Sequence, residues 1–380
     1  MKKITALTLA LMMVMGLFLS GCAMDDPVTP AGTSGSPAES SSGGDSGKKR
    51  VVNVCSWGEY IDLDLIDRFE EATGIEVNYQ TAESNEALYS KLKSGGGNFD
   101  VIVPSDYMIA QLIEEDMLAE INYDSIPNFS LIDQRFKNLS YDPENKYTVP
   151  YTWGTLGVIY NTAMVDGPVT SWDIMFDEAN KDNVLLINNS RDGIGIALMS
   201  LGYSVNTTDE GEIREAFQKL VEANSKGVYQ GKVMDEVFQK MEGGNAAVAT
   251  YYAGDYLAML ENNEDLAYCV PEEGSNWFVD AMCILKNAQN VSEAHEWINF
   301  IASTEANLAN MDFIWYASPN KEALEQYPAY YEETYGEPLD MELYEIMAAP
   351  QEVLDRCEAY LVLPAETRAL YNDLWIQLGI

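Results

Sequence analysis

The chain has 380 residues, with 61 Asp and Glu against 22 Lys and Arg, which gives a formal net charge of -39. Such an acidic chain repels a phosphate backbone, so the composition excludes nucleic acid as a partner. Its field would attract a cationic ligand, but acidic surfaces mostly serve solubility, so the charge alone does not indicate one. About 330 residues follow the first fifty, more than one core usually holds, so the length predicts two lobes.

The first residues have the pattern of a bacterial lipoprotein signal. Lys2 and Lys3 precede an apolar run over 4–19, which is shorter than the roughly 20 residues of a membrane span. The run ends in Leu19-Ser20-Gly21-Cys22, which resembles a lipobox. We therefore predict a signal peptide over 1–21 and a lipid on Cys22. The protein would then lie outside the cytoplasm, anchored to the outer face of the cell membrane or in the periplasm; an ordinary secretory signal would give the same compartment.

Residues 22–50 are predicted to form a flexible tether. Ser, Gly, Pro, Thr and Ala dominate this stretch, and it has almost no large apolar side chains to bury. A coil of this composition has an end-to-end distance of roughly 25–30 Å.

Strands and helices alternate from Val51 onward. The pattern predicts strands at 51–54, 75–79 and 99–103, with helices at 61–74, 84–93 and 107–117. A second region from about Leu156 has predicted strands at 184–187, 246–251, 266–270 and 281–285, helices at 193–201, 212–222 and around Trp297, and a helical C-terminal stretch. This alternation predicts an α/β fold in which each lobe has a mainly parallel sheet flanked by helices.

Cysteine and histidine give no sign of a metal or cofactor. The cysteines after Cys22 are Cys55, Cys269, Cys283 and Cys357; three pairings are open to them, but their spacing fits no zinc motif and favours buried free thiols. The one histidine, His295, lies in a predicted helix. Because no nucleophile elbow or phosphate loop is present either, we predict no catalytic residue, no metal and no cofactor.

An aromatic side chain beside a carboxylate recurs where ligands bind in open α/β sheets, beyond the carboxyl ends of strands. The loops 56–60 and 104–107 follow the first and third predicted strands. The recurring groups are Trp57 with Glu59 and Tyr60, Tyr252 with Asp255, and Phe278 with Asp280. Aromatic faces attract an ammonium group and also suit a methylene chain, so the pattern predicts an aliphatic amine as ligand.

The chain also resembles a known family over 51–379, the periplasmic spermidine/putrescine-binding proteins, which are the substrate-binding subunits of polyamine ABC importers. The motifs that carry the resemblance lie at 57–60, 69–77, 83–86, 103–105, 149–154, 170–172 and 318–320. The resemblance implies a type II periplasmic-binding-protein fold, in which two lobes close over putrescine or spermidine. It also implies a monomer that is not an enzyme and that docks on an ABC transporter permease.

Site residues and lobe boundaries follow from the same resemblance. Lobe 1 would comprise 51–155 and 281–325, and lobe 2 would comprise 156–280 and 326–380. Asp192, Asp255 and Asp280 would pair with ammonium groups, and Asp255 matches an acid of putrescine-type members. Asn189 takes the place of an aspartate found in spermidine-type members. The aromatic box would consist of Trp57, Tyr60, Tyr252, Phe278 and Tyr316, with polar contacts from Ser105 and Tyr107.

Two other functions remain open from the residues alone. One is a binding protein for another small amine or solute that feeds a sensor. The other is a surface lipoprotein glycosidase that uses two of these carboxyl groups as acid and base.

Overall fold

The structure is a computed structural model that describes residues 49–380. The predicted signal peptide, the lipobox at Cys22 and the tether up to residue 48 lie outside the described residues. Residues 49–380 form one compact unit. None of its helices is both long and apolar enough to cross a membrane.

Nine strands form the sheet structure of the described residues. They are β1 (Val51–Ser56), β2 (Glu76–Thr81), β3 (Val101–Ile102), β4 (Thr148–Asn161), β5 (Val184–Ile187), β6 (Tyr229–Val233), β7 (Val248–Tyr252), β8 (Leu266–Cys269) and β9 (Trp277–Ile284).

Thirteen α-helices cover the sheets in the same part of the chain. They are α1 (Asp64–Thr73), α2 (Asn85–Lys93), α3 (Asp106–Glu114), α4 (Ser190–Ser200), α5 (Glu210–Ser225), α6 (Glu236–Glu242), α7 (Ala253–Leu260), α8 (Val291–Ile301), α9 (Thr304–Ile314), α10 (Lys321–Tyr335), α11 (Met341–Met347), α12 (Gln351–Leu354) and α13 (Ala365–Gln377).

The long strand β4 joins two sheets that define the lobes. Its first part, 148–155, pairs with β9 in the order β2-β1-β3-β9-β4, and we call this sheet with its helices lobe 1. Its second part, 156–161, pairs with β7 and β8, and the order β4-β7-β5-β6 defines lobe 2. All fourteen residues of β4 are buried, so a single stiff strand runs through the middle of the molecule.

Pairing within each lobe is mixed rather than mainly parallel. In lobe 1, β1 is parallel to β2 and β3, and in lobe 2, β5 is parallel to β6 and β7. In contrast, β9, β4 and β8 run antiparallel to their neighbours. The sequence pattern missed the first part of β4 because a strand buried on both faces has no polar–apolar alternation.

Two predicted boundaries between the lobes can be compared with the strand pairing near the site. The predicted division at 155/156 lies where β4 changes partners, whereas the division at 280/281 falls inside β9, all of which pairs with lobe 1 strands. Phe278 and Asp280 therefore lie on a strand and not on a loop before one. The lobe ranges otherwise stay a prediction.

Local signals at helix ends agree with the structure in several places. Gly74 ends α1 in the left-handed conformation, with φ of 69°, which a residue without Cβ adopts freely. The Ser84 hydroxyl caps α2, and the Asn189 side chain accepts from two backbone N–H groups at the start of α4.

The four cysteines and the histidine within 49–380 are packed inside the fold or near its surface. All four cysteines within 49–380 are free, and Cys55 and Cys283 are buried while Cys269 and Cys357 are half-buried. Nε2 of the buried His295 accepts from the backbone N–H of Asn122 at 3.0 Å. This hydrogen bond links the loop at Asn122 to α8.

The contact between α4 and α13 gives a test of the packing of lobe 2. A Cβ added to Gly193 would lie 2.1 Å from a ring carbon of Trp375. We expect Gly193→Ala to lower the free energy of unfolding by about 1–3 kcal/mol through overpacking, measured by urea denaturation. Gly231→Ala is the matched control, since its Cβ would meet nothing within 4 Å. Equal stability of the two variants would contradict this packing.

Candidate functional site

A cleft opens between the two lobes, bounded by the loop after β1, the start of α3, the ends of β7 and β9, and the start of α4. It holds about 790 Å³ of empty space, counted out to the solvent at its mouth. This is within the range of small-molecule sites. The side chains around it alternate between carboxyl groups and aromatic rings.

Asp280 lies on β9 at the base of the cleft and is only 3% exposed. Its Oδ2 accepts from Trp57 Nε1 and from the Tyr60 hydroxyl, each at 3.0 Å. Its Oδ1 is buried and has no hydrogen-bond partner anywhere in residues 49–380. Burial raises the pKa of Asp280 to about 6, and the nearby Ser105 hydroxyl, followed by Tyr60 and Trp57, opposes a larger rise, although no donor within 49–380 meets hydrogen-bond geometry at Oδ1. The carboxylate therefore has an unused acceptor that a bound cation could satisfy.

Asp192 stands in the first turn of α4, where the helix dipole favours negative charge. The hydroxyl groups of Tyr252 and Tyr360 donate to its two oxygens, each at 2.7 Å. Burial nevertheless raises the pKa of Asp192 to about 6. Because Tyr360 comes from the chain between α12 and α13, the C-terminal segment helps to hold this carboxyl group.

Asp255 forms a third acidic position, in the first turn of α7. Its Oδ2 accepts from the Tyr316 hydroxyl at 2.6 Å. Burial raises the pKa of Asp255 to about 7, although the Tyr316 hydrogen bond acts in the opposite direction. Gly254 makes the contact possible, because an added Cβ would lie 2.3 Å from the Tyr316 ring.

Aromatic rings form a continuous wall between these acids. The ring centroids of Tyr60 and Tyr316 are 5.1 Å apart, and those of Tyr252 and Phe278 are 5.2 Å apart. Phe278 in turn lies 6.2 Å from Tyr316. All three pairs are edge-to-face, the arrangement that ring quadrupoles prefer, so the wall is rigid and apolar.

One buried cation lies behind the wall. Arg191 is 5% exposed, and its guanidinium lies 4.3 Å from the ring centroid of Tyr360 and 5.9 Å from that of Tyr107. Its Nη2 donates to the carbonyl of Val205 at 3.4 Å. The side chain is outside the cleft lining, so it offsets acidic charge without occupying the space for a ligand.

The cleft brings together all but one of the twelve predicted ligand-binding residues. The exception is Glu59, which is exposed and outside the lining, with φ of 47° in the tight turn after Gly58. Asn189 lines the cleft while also capping α4. The cleft residues are Trp57, Tyr60, Ser105, Tyr107, Asn189, Asp192, Tyr252, Asp255, Phe278, Asp280 and Tyr316.

Sequence reasoning missed several other lining residues, among them Asp106, Asp235 and Tyr360. Asp106 could have been found, because it lies between Ser105 and Tyr107 in a loop already singled out. Tyr360 gave no signal, since its place in the cleft depends on how the C-terminal segment returns to lobe 2.

The acids are arranged in a way that suits organic cations. Within 49–380, no three His, Cys, Asp or Glu side chains are grouped so that they could hold a metal ion. Each aspartate instead has a phenol or indole as its neighbour, and this separation suits several ammonium groups joined by apolar chain.

Comparison with known proteins agrees with this geometry. The model of the bacterial extracellular solute-binding protein family matches residues 64–334. A spermidine/putrescine-binding periplasmic protein of Salmonella typhimurium is 32% identical over 274 residues, covering 70% of this chain and 76% of that protein.

Two solved structures are also similar. A spermidine/putrescine ABC transporter protein from Listeria monocytogenes has 38% identity and a TM-score of 0.80, covering 87% of this chain and 99% of that one. A spermidine/putrescine ABC transporter substrate-binding protein from Streptococcus pneumoniae has 35% identity and a TM-score of 0.72, covering 87% of this chain and 98% of that one.

The chain belongs to the bacterial extracellular solute-binding proteins. The predicted two-lobe periplasmic-binding-protein fold and the resemblance to the polyamine-binding family are confirmed. The prediction of a binding protein rather than an enzyme is confirmed by the same relatives, and so is an extracytoplasmic location. The glycosidase alternative is thereby set aside.

The raised pKa of Asp255 predicts a cost to stability. Because the folded state holds this proton more tightly than the unfolded chain, the free energy of unfolding should fall as pH rises from about 4 to about 7. We expect Asp255→Asn to remove this cost. Its advantage over the wild type should grow across that window, by at most about 1.4 kcal/mol per pH unit, in denaturation curves recorded without amines.

Asp100→Asn is a control for which the free energy of unfolding should change with pH in the opposite direction. Burial opposes ionisation of Asp100, but hydrogen bonds from Asn290 and Asn53 outweigh it and lower the pKa. That variant should be less stable than the wild type at neutral pH, with a deficit that vanishes as the pH falls below the folded pKa of Asp100. Parallel pH curves for wild type and Asp255→Asn would contradict the placement of Asp255.

Proposed function

We propose that the protein captures a polyamine, putrescine or spermidine, outside the cytoplasm and delivers it to an ABC importer. The observation that carries this proposal is the buried, unpartnered Oδ1 of Asp280 within an aromatic wall. A buried carboxylate without a full set of partners is costly, and a protonated amine removes that cost. The names of the Salmonella, Listeria and Streptococcus relatives support the same ligand class.

Recognition would use the two kinds of side chain for different parts of the ligand. Ammonium groups would pair with Asp280, Asp192 and Asp255, whose phenol and indole donors already hold the carboxyl groups in place. The methylene chain would lie against Tyr60, Phe278 and Tyr316. Each aromatic contact with a cation contributes roughly 0.5–2 kcal/mol, the larger value where water is excluded.

Closure of the lobes would be linked to the ligand. Trp57, Tyr60 and Asp280 belong to lobe 1, while Asp192, Tyr252 and Asp255 belong to lobe 2. A cation that contacts both sets has a higher affinity for the closed arrangement, and this difference shifts the population toward it. The closed monomer would then dock on its permease and release the amine.

The N-terminal region would keep this capture domain near the membrane. A lipid on Cys22, followed by the tether, would hold the cleft within a few nanometres of the permease and raise its effective concentration there. The sequence Leu19-Ser20-Gly21-Cys22 supports the modification.

Calorimetry on the full-length protein tests the ligand class. We expect saturable, stoichiometric binding of putrescine or spermidine at pH 7. Asp280→Asn keeps an acceptor for Trp57 but removes the charge, so the affinity should fall about tenfold or more. Asp166→Asn, an exposed change of the same charge, is the control and should bind as the wild type does.

Two results would contradict the proposal. If neither amine binds, the ligand class is wrong. If Asp280→Asn folds with an unchanged melting temperature and keeps full affinity, Asp280 is not part of the site.

Labelling of cells with an alkyne fatty acid tests the anchor. The wild-type protein should incorporate the label, because a lipobox cysteine carries the acyl groups, and Cys22→Ala should not. Cys357→Ala is the matched control, since it removes a half-buried thiol of the folded part and should stay labelled. Label retained in the Cys22 variant would show that the lipid is not at this residue.

A further inference from the structure

A fourth carboxyl group lies in the cleft, at Asp106. It is the first residue of α3, is 3% exposed and lines the cleft. Its Oδ1 accepts from the backbone N–H of Tyr107 at 2.6 Å. Its Oδ2 makes no hydrogen bond within 49–380, so the second oxygen is free to take a ligand group.

The charged and titratable groups around Asp106 come from each element packed against it. Asp280 on β9 and Asp192 on α4 are like charges, whereas Arg191 on α4 is an opposite charge. Tyr141, from the loop before β4, also lies near, and its buried hydroxyl has no partner among the described residues. Acids therefore outnumber cations at this end of the cleft.

A count of charges defines what would neutralise the cleft. Four aspartates of the lining are buried or half-buried, namely Asp106, Asp192, Asp255 and Asp280, and Arg191 is the buried cation behind them; Glu83 and Asp235 also line the cleft but are exposed, so water solvates their charges. If all four ionise, three negative charges remain after Arg191 is counted. The unpartnered Oδ1 of Asp280 is an independent sign that this lining can accept a cation.

We propose that Asp106 pairs with a third ammonium group and so determines the preference of the cleft for a triamine over a diamine. The inference rests on the proposed function. With a diamine bound, two ammonium charges and Arg191 balance three carboxylates, and Asp106 keeps its proton. With a triamine bound, the Asp106 O–H bond breaks, the proton leaves to the solvent, and the carboxylate pairs with the third ammonium.

The surroundings of the four carboxyl groups agree with a protonated Asp106 in the diamine complex. Burial raises the pKa of Asp106 well above its ordinary value, and the like charges of Asp280 and Asp192 add to the rise. The other three carboxyl groups have pKa values of about 6 to 7. The burial of Asp106 beside two like charges therefore favours its protonated form until an additional cation arrives.

Calorimetry on the full-length Asp106→Asn variant tests the inference with putrescine as the diamine and spermidine as the triamine. Asparagine retains the acceptor for the Tyr107 N–H, so a role limited to starting α3 would survive. We expect the affinity for spermidine to fall about tenfold to hundredfold, while that for putrescine stays within about twofold. Asp166→Asn is the matched charge control.

Proton release gives a second readout, from titrations at pH 7 in buffers of different ionisation enthalpy. Wild-type protein should release about one proton more with spermidine than Asp106→Asn does, and the two should release equal numbers with putrescine. Equal proton counts with spermidine, or equal losses of affinity for both amines, would overturn the inference. Failure of the wild type to bind either amine would instead overturn the proposed function.

Discussion

The structure depends on one electrostatic constraint, the cost of keeping carboxyl groups in a cleft shielded from water. Asp192 and Asp280 are almost fully buried, and burial raises the pKa of each to about 6. Arg191 offsets only part of this charge. Under the proposed function, a multivalent cation would remove this cost, and the free energy that burial of the acids takes from folding would become available for binding.

The rest of the fold can be understood as support for these groups. The continuous strand β4 crosses both lobes, and β9 lies beside it and carries Asp280. Phenol and indole donors then orient each carboxyl group: Tyr252 and Tyr360 on Asp192, Trp57 and Tyr60 on Asp280, and Tyr316 on Asp255. The same rings form the apolar wall, so one set of side chains both orients the acids and presents an apolar surface that suits a chain of methylenes.

Sequence reasoning predicted much of the local structure and most of the cleft. Gly74 and Ser84 signalled helix ends correctly, and Val184–Ile187 was predicted to the residue. It misjudged β4 and β9, because a strand buried on both faces has no alternation and because Asp280 inside an apolar run resembles a loop. Glu59 satisfied the aromatic–carboxylate pattern but points to solvent, since a turn beside Gly58 directs neighbouring side chains to different sides.

The sequence by itself determined the chemistry: an acidic chain, aromatic and carboxylate side chains at strand ends, and the family motifs that link them to amines. These are properties of residue types and short spacings, which the chain carries in any conformation. Only the tertiary structure decided which acids meet. Asp106, Asp192 and Asp280 come from three separate elements, and Tyr360 reaches them across a long stretch of chain. These acids are buried only once β4 and β9 have brought the lobes together, and their raised pKa follows from that burial.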